Sequence, residues 1–192
     1  TSNFVTIDGN RIHYRDECEG KSENECDQRD VIVLIHGTSS SLQAWDKWAV
    51  ELVNQYRIVR MDLTGSGLTG PDSNDRYEVK NDVVFISKLL QHLNIQHAHI
   101  VGSSLGGRIA WQYALEFPNH VSSLTLINAL GYPQDSWPPA IEMGQWPIVD
   151  KLVTSLSSKF MYRYGLEDVY FSRALIDDEL VDRYFELSQY PG

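Results

Sequence analysis

The chain has 192 residues, with 16 Lys and Arg against 26 Asp and Glu, for a formal net charge of −10. At 42% hydrophobic and 11% aromatic residues it can bury a real core and is too apolar for intrinsic disorder. The acidic balance argues against a nucleic-acid binder or a polybasic membrane-surface protein, since both need excess Lys and Arg. No run approaches the ~18 apolar residues of a membrane span.

Phe4–Ile7 and Arg11–Tyr14 are expected to form a hairpin across Asp8-Gly9, a strong turn signal. A polar, acidic stretch follows, with Asp16, Glu17, Glu19, Glu23, Glu25, Asp27 and Asp30. It reads as a solvated face and lacks the Asp/Asn/Gly ladder of a calcium loop. Cys18 and Cys26 lie within it, without the further ligands of a zinc site. They are either two free surface thiols or a disulfide closing a short loop, which adds about 2–3 kcal/mol in the loop-entropy model. A bridge points to an exported or periplasmic protein, and the start at Thr1-Ser2-Asn3 without Met leans the same way; otherwise the protein is cytoplasmic.

Val31–Ile35 is an unbroken β-branched and leucine run, the pattern of a strand buried on both faces. Ser39-Ser40-Ser41 offers an N-cap for a helix carrying Leu42, Trp45, Trp48, Ala49, Leu52 and Val53. Tyr56–Met61 reads as a strand, Asp62 to Asp75 as a turn-rich loop, and Val79, Val83, Ile86, Leu90 and Leu93 as one amphipathic helix. His99–Val101 is a strand stopping at Gly102, Leu105–Phe117 a helix ended by Pro118, and Val121–Ile127 a further buried strand. This alternation means an α/β fold with a mostly parallel sheet covered on both faces. From Tyr132 the rhythm breaks and helical, aromatic sequence follows, with a helix expected from Asp177 and a staple between Ile176 and Val181.

Gly102-Ser103-Ser104-Leu105-Gly106 follows a strand and opens a helix, matching G-x-S-x-G with Ser104 at its centre. Such a turn holds a serine in a strained conformation while the helix N-terminus and the Leu105 N–H face developing negative charge. His36-Gly37-Thr38 ends the first long strand on the same side, which makes the Thr38 N–H a second oxyanion donor and His36 a loop-shaping residue. Gly65-x-Gly67-x-x-Gly70 mimics a dinucleotide fingerprint, but turn residues follow it rather than a helix. His97 and His99 alternate along a strand without a third ligand, so they read as packing residues. No metal and no cofactor is expected.

Three segments, His36 to Ser40, Asp62 to Pro71 and Gly102 to Arg108, resemble the α/β-hydrolase fold in order and spacing. The resemblance implies a doubly wound sheet over residues 1–132 and a helical cap over 133–192, the cap helix at Asp177–Tyr184 being similar to that of the dehalogenase and epoxide hydrolase branch. A serine in place of that branch's aspartate implies acyl transfer: a nucleophile elbow, an oxyanion hole, and a carboxylesterase acting on a small-molecule ester. A meta-cleavage C–C hydrolase and a non-catalytic binding protein of the same fold are the alternatives.

The family orders its triad Ser, then acid, then His, yet the last histidine here is His120. The resemblance therefore implies that strands 7 and 8, with the triad acid and His, are not in this chain. The expectation is an incomplete, poorly active domain whose sheet is completed by a missing C-terminal segment or a second chain. Losing the catalytic histidine costs serine proteases on the order of 10⁶-fold in kcat. Trp137, Met143, Trp146, Phe160, Met161 and Tyr164 are candidate pocket-lining residues.

Overall fold

The computed structural model describes residues 1–19, 23–132 and 158–191. They belong to two compact units, Thr1–Leu130 with Tyr190–Gly192, and Gly131–Gln189.

The first unit is built on six strands. β1 (Asn3–Ile7) and β2 (Asn10–Glu17) form the expected hairpin, with Asp8 and Gly9 at φ 50° and 85°. Positive φ at both turn residues matches the twist of the flanking strands. β3 (Val31–Ile35), β4 (Arg57–Met61), β5 (Ala98–Ser103) and β6 (Val121–Ile127) complete a sheet of order β1-β2-β4-β3-β5-β6. β2 joins β4 antiparallel, whereas β4, β3, β5 and β6 run parallel. Neighbouring residues of β3 serve opposite cores: Val33 and Ile35 pack with Ile86, Ile100, Ile109 and Tyr113, while Ile32 and Leu34 pack with Trp45, Ala49 and Ile58. That two-sided burial is why β3 is apolar throughout. Helices α2 (Asp46–Leu52), α3 (Val79–His92) and α4 (Leu105–Glu116) supply the covering layers.

Four expectations need correcting. Val121–Ile127 is a strand but is not buried: Leu124 and Leu126 are 38% and 45% exposed. β6 pairs only with β5 among the described residues, so it is an edge whose apolar sequence resembles that of a central strand. The helix expected from Leu42 opens as a 3₁₀ turn, Leu42–Trp45, and the Ser41 side chain at its N-cap makes no capping bond. Asp62 Oδ1 instead accepts the Leu42 N–H at 2.7 Å. His97 precedes β5, and His99 Nδ1 lies 2.7 Å from Ser123 Oγ, so the two histidines do not form a pair on one strand.

The acidic stretch, finally, is not simply solvated. Arg57 grips both carboxylate oxygens of Asp16 at 2.9 and 2.7 Å, and Arg60 grips Glu17 at 2.7 and 2.9 Å. The antiparallel register sets Asp16 and Glu17 on β2 opposite Val59 and Ile58, next to those arginines. Cys18 and Cys26 are joined as a disulfide, with Cα atoms 5.9 Å apart, and the loop between them carries the short helix α1 (Glu23–Asp27). Arg29 ties this lobe to the core by donating to the carbonyls of Glu19 and Val53.

In the second unit, α5 (Lys159–Val169) and α6 (Asp178–Ser188) pack through a buried cluster of Leu166, Ile176 and Val181. Asp177 caps α6 by accepting the Leu180 N–H at 2.8 Å, and Ile176 and Val181 form the expected staple around it.

Candidate functional site

Ser104 stands alone between the end of β5 and the start of α4, at φ 53° and ψ −117°. A non-glycine residue rarely occupies this region, and it persists only where surrounding bonds over-determine it. Here they do: the Ser104 N–H donates to Ile127 O at 3.0 Å, and its carbonyl accepts from Arg108 and Leu130 N–H groups, each at 3.1 Å. The turn also demands close backbone approach. A Cβ on Gly106 would lie 2.3 Å from the carbonyl oxygens of Ile35 and His36. Across the turn, a Cβ on Gly37 would lie 3.0 Å from Ser104 Cβ, which sets the loop after β3 directly against the serine.

That loop is held from three sides. The buried His36 donates from Nδ1 to Gly37 O at 2.8 Å, and its Nε2 accepts the Leu63 N–H at 3.0 Å. Burial pushes the His36 pKa down, against smaller upward contributions from Gly37 and Asp62. A neutral ring with both nitrogens engaged organises a loop rather than moving protons. Further on, Leu42 has its N–H bound by Asp62 Oδ1 and its carbonyl bound by Arg60 Nη1 at 3.0 Å. Asp62 also accepts from the Leu68 N–H at 2.8 Å and from His13 Nδ1 at 2.7 Å. Burial alone would raise its pKa, but the His13, Leu42 and Leu68 hydrogen bonds hold it below the ordinary value.

Thr38 and Leu105, the two expected backbone donors, line one cleft of about 340 Å³. Its walls carry Ser39, Thr64, Ser66, Tyr77 and Asp82, so hydroxyls dominate and one carboxylate is present. Asp82, from the first turn of α3, is 8% exposed. Its Oδ1 accepts from Thr64 Oγ1 at 2.9 Å, while burial lifts its pKa to about 6, with Asp72 pushing the same way. Sequence reasoning missed Asp82. The available signal was its position three residues after Val79 and next to Val83, on the apolar side of the helix.

None of the six histidines is arranged to serve Ser104. His13 and His36 are engaged in the buried loop contacts above, and His99 and His120 sit at the start of β5 and β6, the sheet end opposite Ser104. His97 precedes β5, and His92 ends α3. Of the candidate pocket residues, Trp137, Met143 and Trp146 lie outside the described residues. Phe160, Met161 and Tyr164 lie on α5, at 77%, 47% and 62% exposure.

A family model described as alpha/beta hydrolase fold matches residues 30–151. The chain is 28% identical over 179 residues to an uncharacterized hydrolase, YugF, of Bacillus subtilis, an alignment covering 93% of this chain and 63% of that protein. It is 26% identical over 171 residues to a 2-hydroxy-6-oxo-2,4-heptadienoate hydrolase of Pseudomonas putida, covering 84% of this chain and 56% of the relative. Among solved structures it resembles a meta-cleavage product hydrolase from Pseudomonas fluorescens IP01, with a TM-score of 0.78 and 27% identity over 99% of this chain and 64% of that one. The chain thus spans less than two thirds of the length of each of these proteins. With the sheet order, the strand-turn-helix at Ser104 and these matches in agreement, the chain belongs to the α/β-hydrolase fold family.

Proposed function

We propose that the protein is a serine hydrolase that cleaves carboxylic esters through an acyl-enzyme on Ser104. The observation that supports this most is the strained Ser104 backbone, set at the N-terminus of α4 beside a cleft that Leu105 and Thr38 share. On this reading Ser104 Oγ bonds to the substrate carbonyl carbon and the carbonyl oxygen takes the charge, met by the Thr38 and Leu105 N–H groups. The alcohol leaves with the proton the serine gives up, and water then releases the acid. Full turnover requires a histidine base and its acid partner delivered to Ser104 from outside these residues, by a further segment or a second chain. The helices α5 and α6 are proposed as part of a helical cap domain.

A second reading, cleavage of a carbon–carbon bond next to a carbonyl, draws on the names of relatives such as the Pseudomonas putida hydrolase. Both readings use the same serine and donors and differ in the leaving group.

The test is to treat the protein with a fluorophosphonate probe, map the adduct, and compare Ser104→Ala. Hydrolysis of p-nitrophenyl esters is measured beside consumption of 2-hydroxy-6-oxo-2,4-heptadienoate. Labelling at Ser104 with ester turnover supports the esterase reading, and consumption of the dienoate alone replaces it with the second. No labelling in a chain extended to the length of its relatives would mark a binding protein instead.

A further inference from the structure

The cleft beside the oxyanion donors carries a carboxylate with half of its bonding capacity free. Asp82 Oδ1 is taken by the Thr64 hydroxyl, and no protein hydrogen bond reaches Oδ2 among the described residues. The side chain is more than nine-tenths buried yet lines the cleft. Among the described residues no cation balances it: the nearby charge is Asp72, which repels it, and Arg76 is spent on Asp72 at 3.1 Å. Oδ2 is not among the buried unpartnered atoms, so it faces the open cleft, where a ligand that brings a hydroxyl can donate to it.

We propose that Asp82 is the specificity residue of this cleft, accepting a hydrogen bond from a hydroxyl on the substrate arm that enters it. The protein thus favours hydroxylated esters over alkyl esters of equal size. The surrounding hydroxyls of Thr38, Ser39, Thr64, Ser66 and Tyr77 suit the same partner, because each can accept or donate to a ligand hydroxyl. An alkyl arm in this position leaves Oδ2 and several hydroxyls unpaired. A site built for a hydroxyl rejects the analogue that lacks it for this reason. The proposal rests on the esterase reading only for which arm is cleaved; the binding preference stands apart from turnover.

The experiment therefore begins with binding. At pH 8, 4-hydroxy-2-pentanone and 4-methyl-2-pentanone, which differ only by hydroxyl for methyl, are titrated by NMR into the protein and into Asp82→Asn. The asparagine keeps an acceptor for Thr64 but presents a donor or a neutral oxygen to the cleft. The expected result is tighter binding of the hydroxyketone by about tenfold or more, the size of a hydrogen bond to a charged group. In Asp82→Asn the ratio should fall to within about twofold. A purely structural role for Asp82 would weaken both ketones alike and leave the ratio, and that outcome overturns the proposal, as does equal binding by the unaltered protein. Hydrolysis of p-nitrophenyl 3-hydroxybutyrate against 3-methylbutyrate, and of 2-hydroxyethyl against propyl butyrate, carries the comparison to turnover. If a chain extended to the length of its relatives cleaves no ester while the ketone ratio holds, the esterase reading fails and the specificity assignment survives.

Discussion

Asp62 Oδ1 accepts the Leu42 N–H at 2.7 Å, and this bond ties the loop leaving β3 to the loop leaving β4. Because Thr38 lies in the first of those loops and Leu63 to Ser66 in the second, both walls of the cleft depend on one carboxylate. Asp62→Ala strips partners from His13 Nδ1 and from the Leu42 and Leu68 N–H groups at once. Urea unfolding at pH 7 should show a loss of about 3 kcal/mol or more. The pH dependence has a definite sign. The folded pKa lies below its ordinary 3.8, so the Asp62 contribution is complete above that value and disappears as pH falls through the folded pKa. Stability measured from pH 6 down to pH 3 should fall less steeply in Asp62→Asn than in the unaltered protein.

Two glycines with opposite surroundings give a paired prediction. In Gly106→Ala the added Cβ meets backbone carbonyl oxygens of Ile35 and His36 at 2.3 Å, and those belong to a central strand end that cannot yield. The cost is about 3 kcal/mol or more by chemical unfolding. Gly165, within α5, has nothing within 4 Å of the same construction. Gly165→Ala should therefore raise stability by about 1 kcal/mol and increase helical circular dichroism, because alanine orders a helix at lower entropic cost.

The hairpin, β3, α3 and the turn at Ser104 were legible because each is encoded locally, in a dipeptide, a run or a period. Asp8-Gly9 needs no distant partner to be a turn, and Gly102 to Gly106 shows its close packing in composition alone. Arg60, Asp62 and Asp82 were not legible as working residues. Their partners lie far along the chain, as with Arg60 and Glu17, 43 residues apart, or Asp62 and His13, 49 apart. β6 was misjudged for a related reason: Leu124 and Leu126 read the same whether or not a neighbour covers them, and strand order is a property of the sheet. The Leu42–Trp45 turn escaped because apolar spacing does not separate a 3₁₀ turn from the first turn of an α-helix.

Asp82 should make the protein less stable as pH rises, the reverse of Asp62. Its folded pKa of about 6 lies above the ordinary 3.8, so between those values the native state holds a proton that the unfolded chain has released. Stability falls across that window and levels off above it. Burial is the main cause of the shift, opposed by the Thr64 hydrogen bonds and reinforced by the charge of Asp72, which is itself paired with Arg76. Asp82→Asn keeps the Thr64 contact and removes the ionisation. It should be more stable than the unaltered protein by roughly 2–3 kcal/mol at pH 8 and indistinguishable from it at pH 4. Thermal unfolding at the two pH values checks this.

Arg60 joins the disulfide lobe to the cleft. The guanidinium is 2% exposed, holds Glu17 with two bonds, reaches Asp46 at 2.6 Å, and donates to the carbonyl of Leu42 at 3.0 Å. Glu17 immediately precedes Cys18, so the bridge to Cys26 restrains the carboxylate that orients Arg60. Arg60→Met leaves the part-exposed Glu17 and Asp46 carboxylates and the Leu42 carbonyl without this donor and should cost about 1–3 kcal/mol. Replacing both cysteines by serine should cost about 2–3 kcal/mol through the freed loop. Because both changes release the same end of β2, the combined variant should lose less than the two costs added, by at least about 0.5 kcal/mol in a double-mutant cycle. Strict additivity in urea unfolding would show instead that the lobe and the Leu42 clamp are independent.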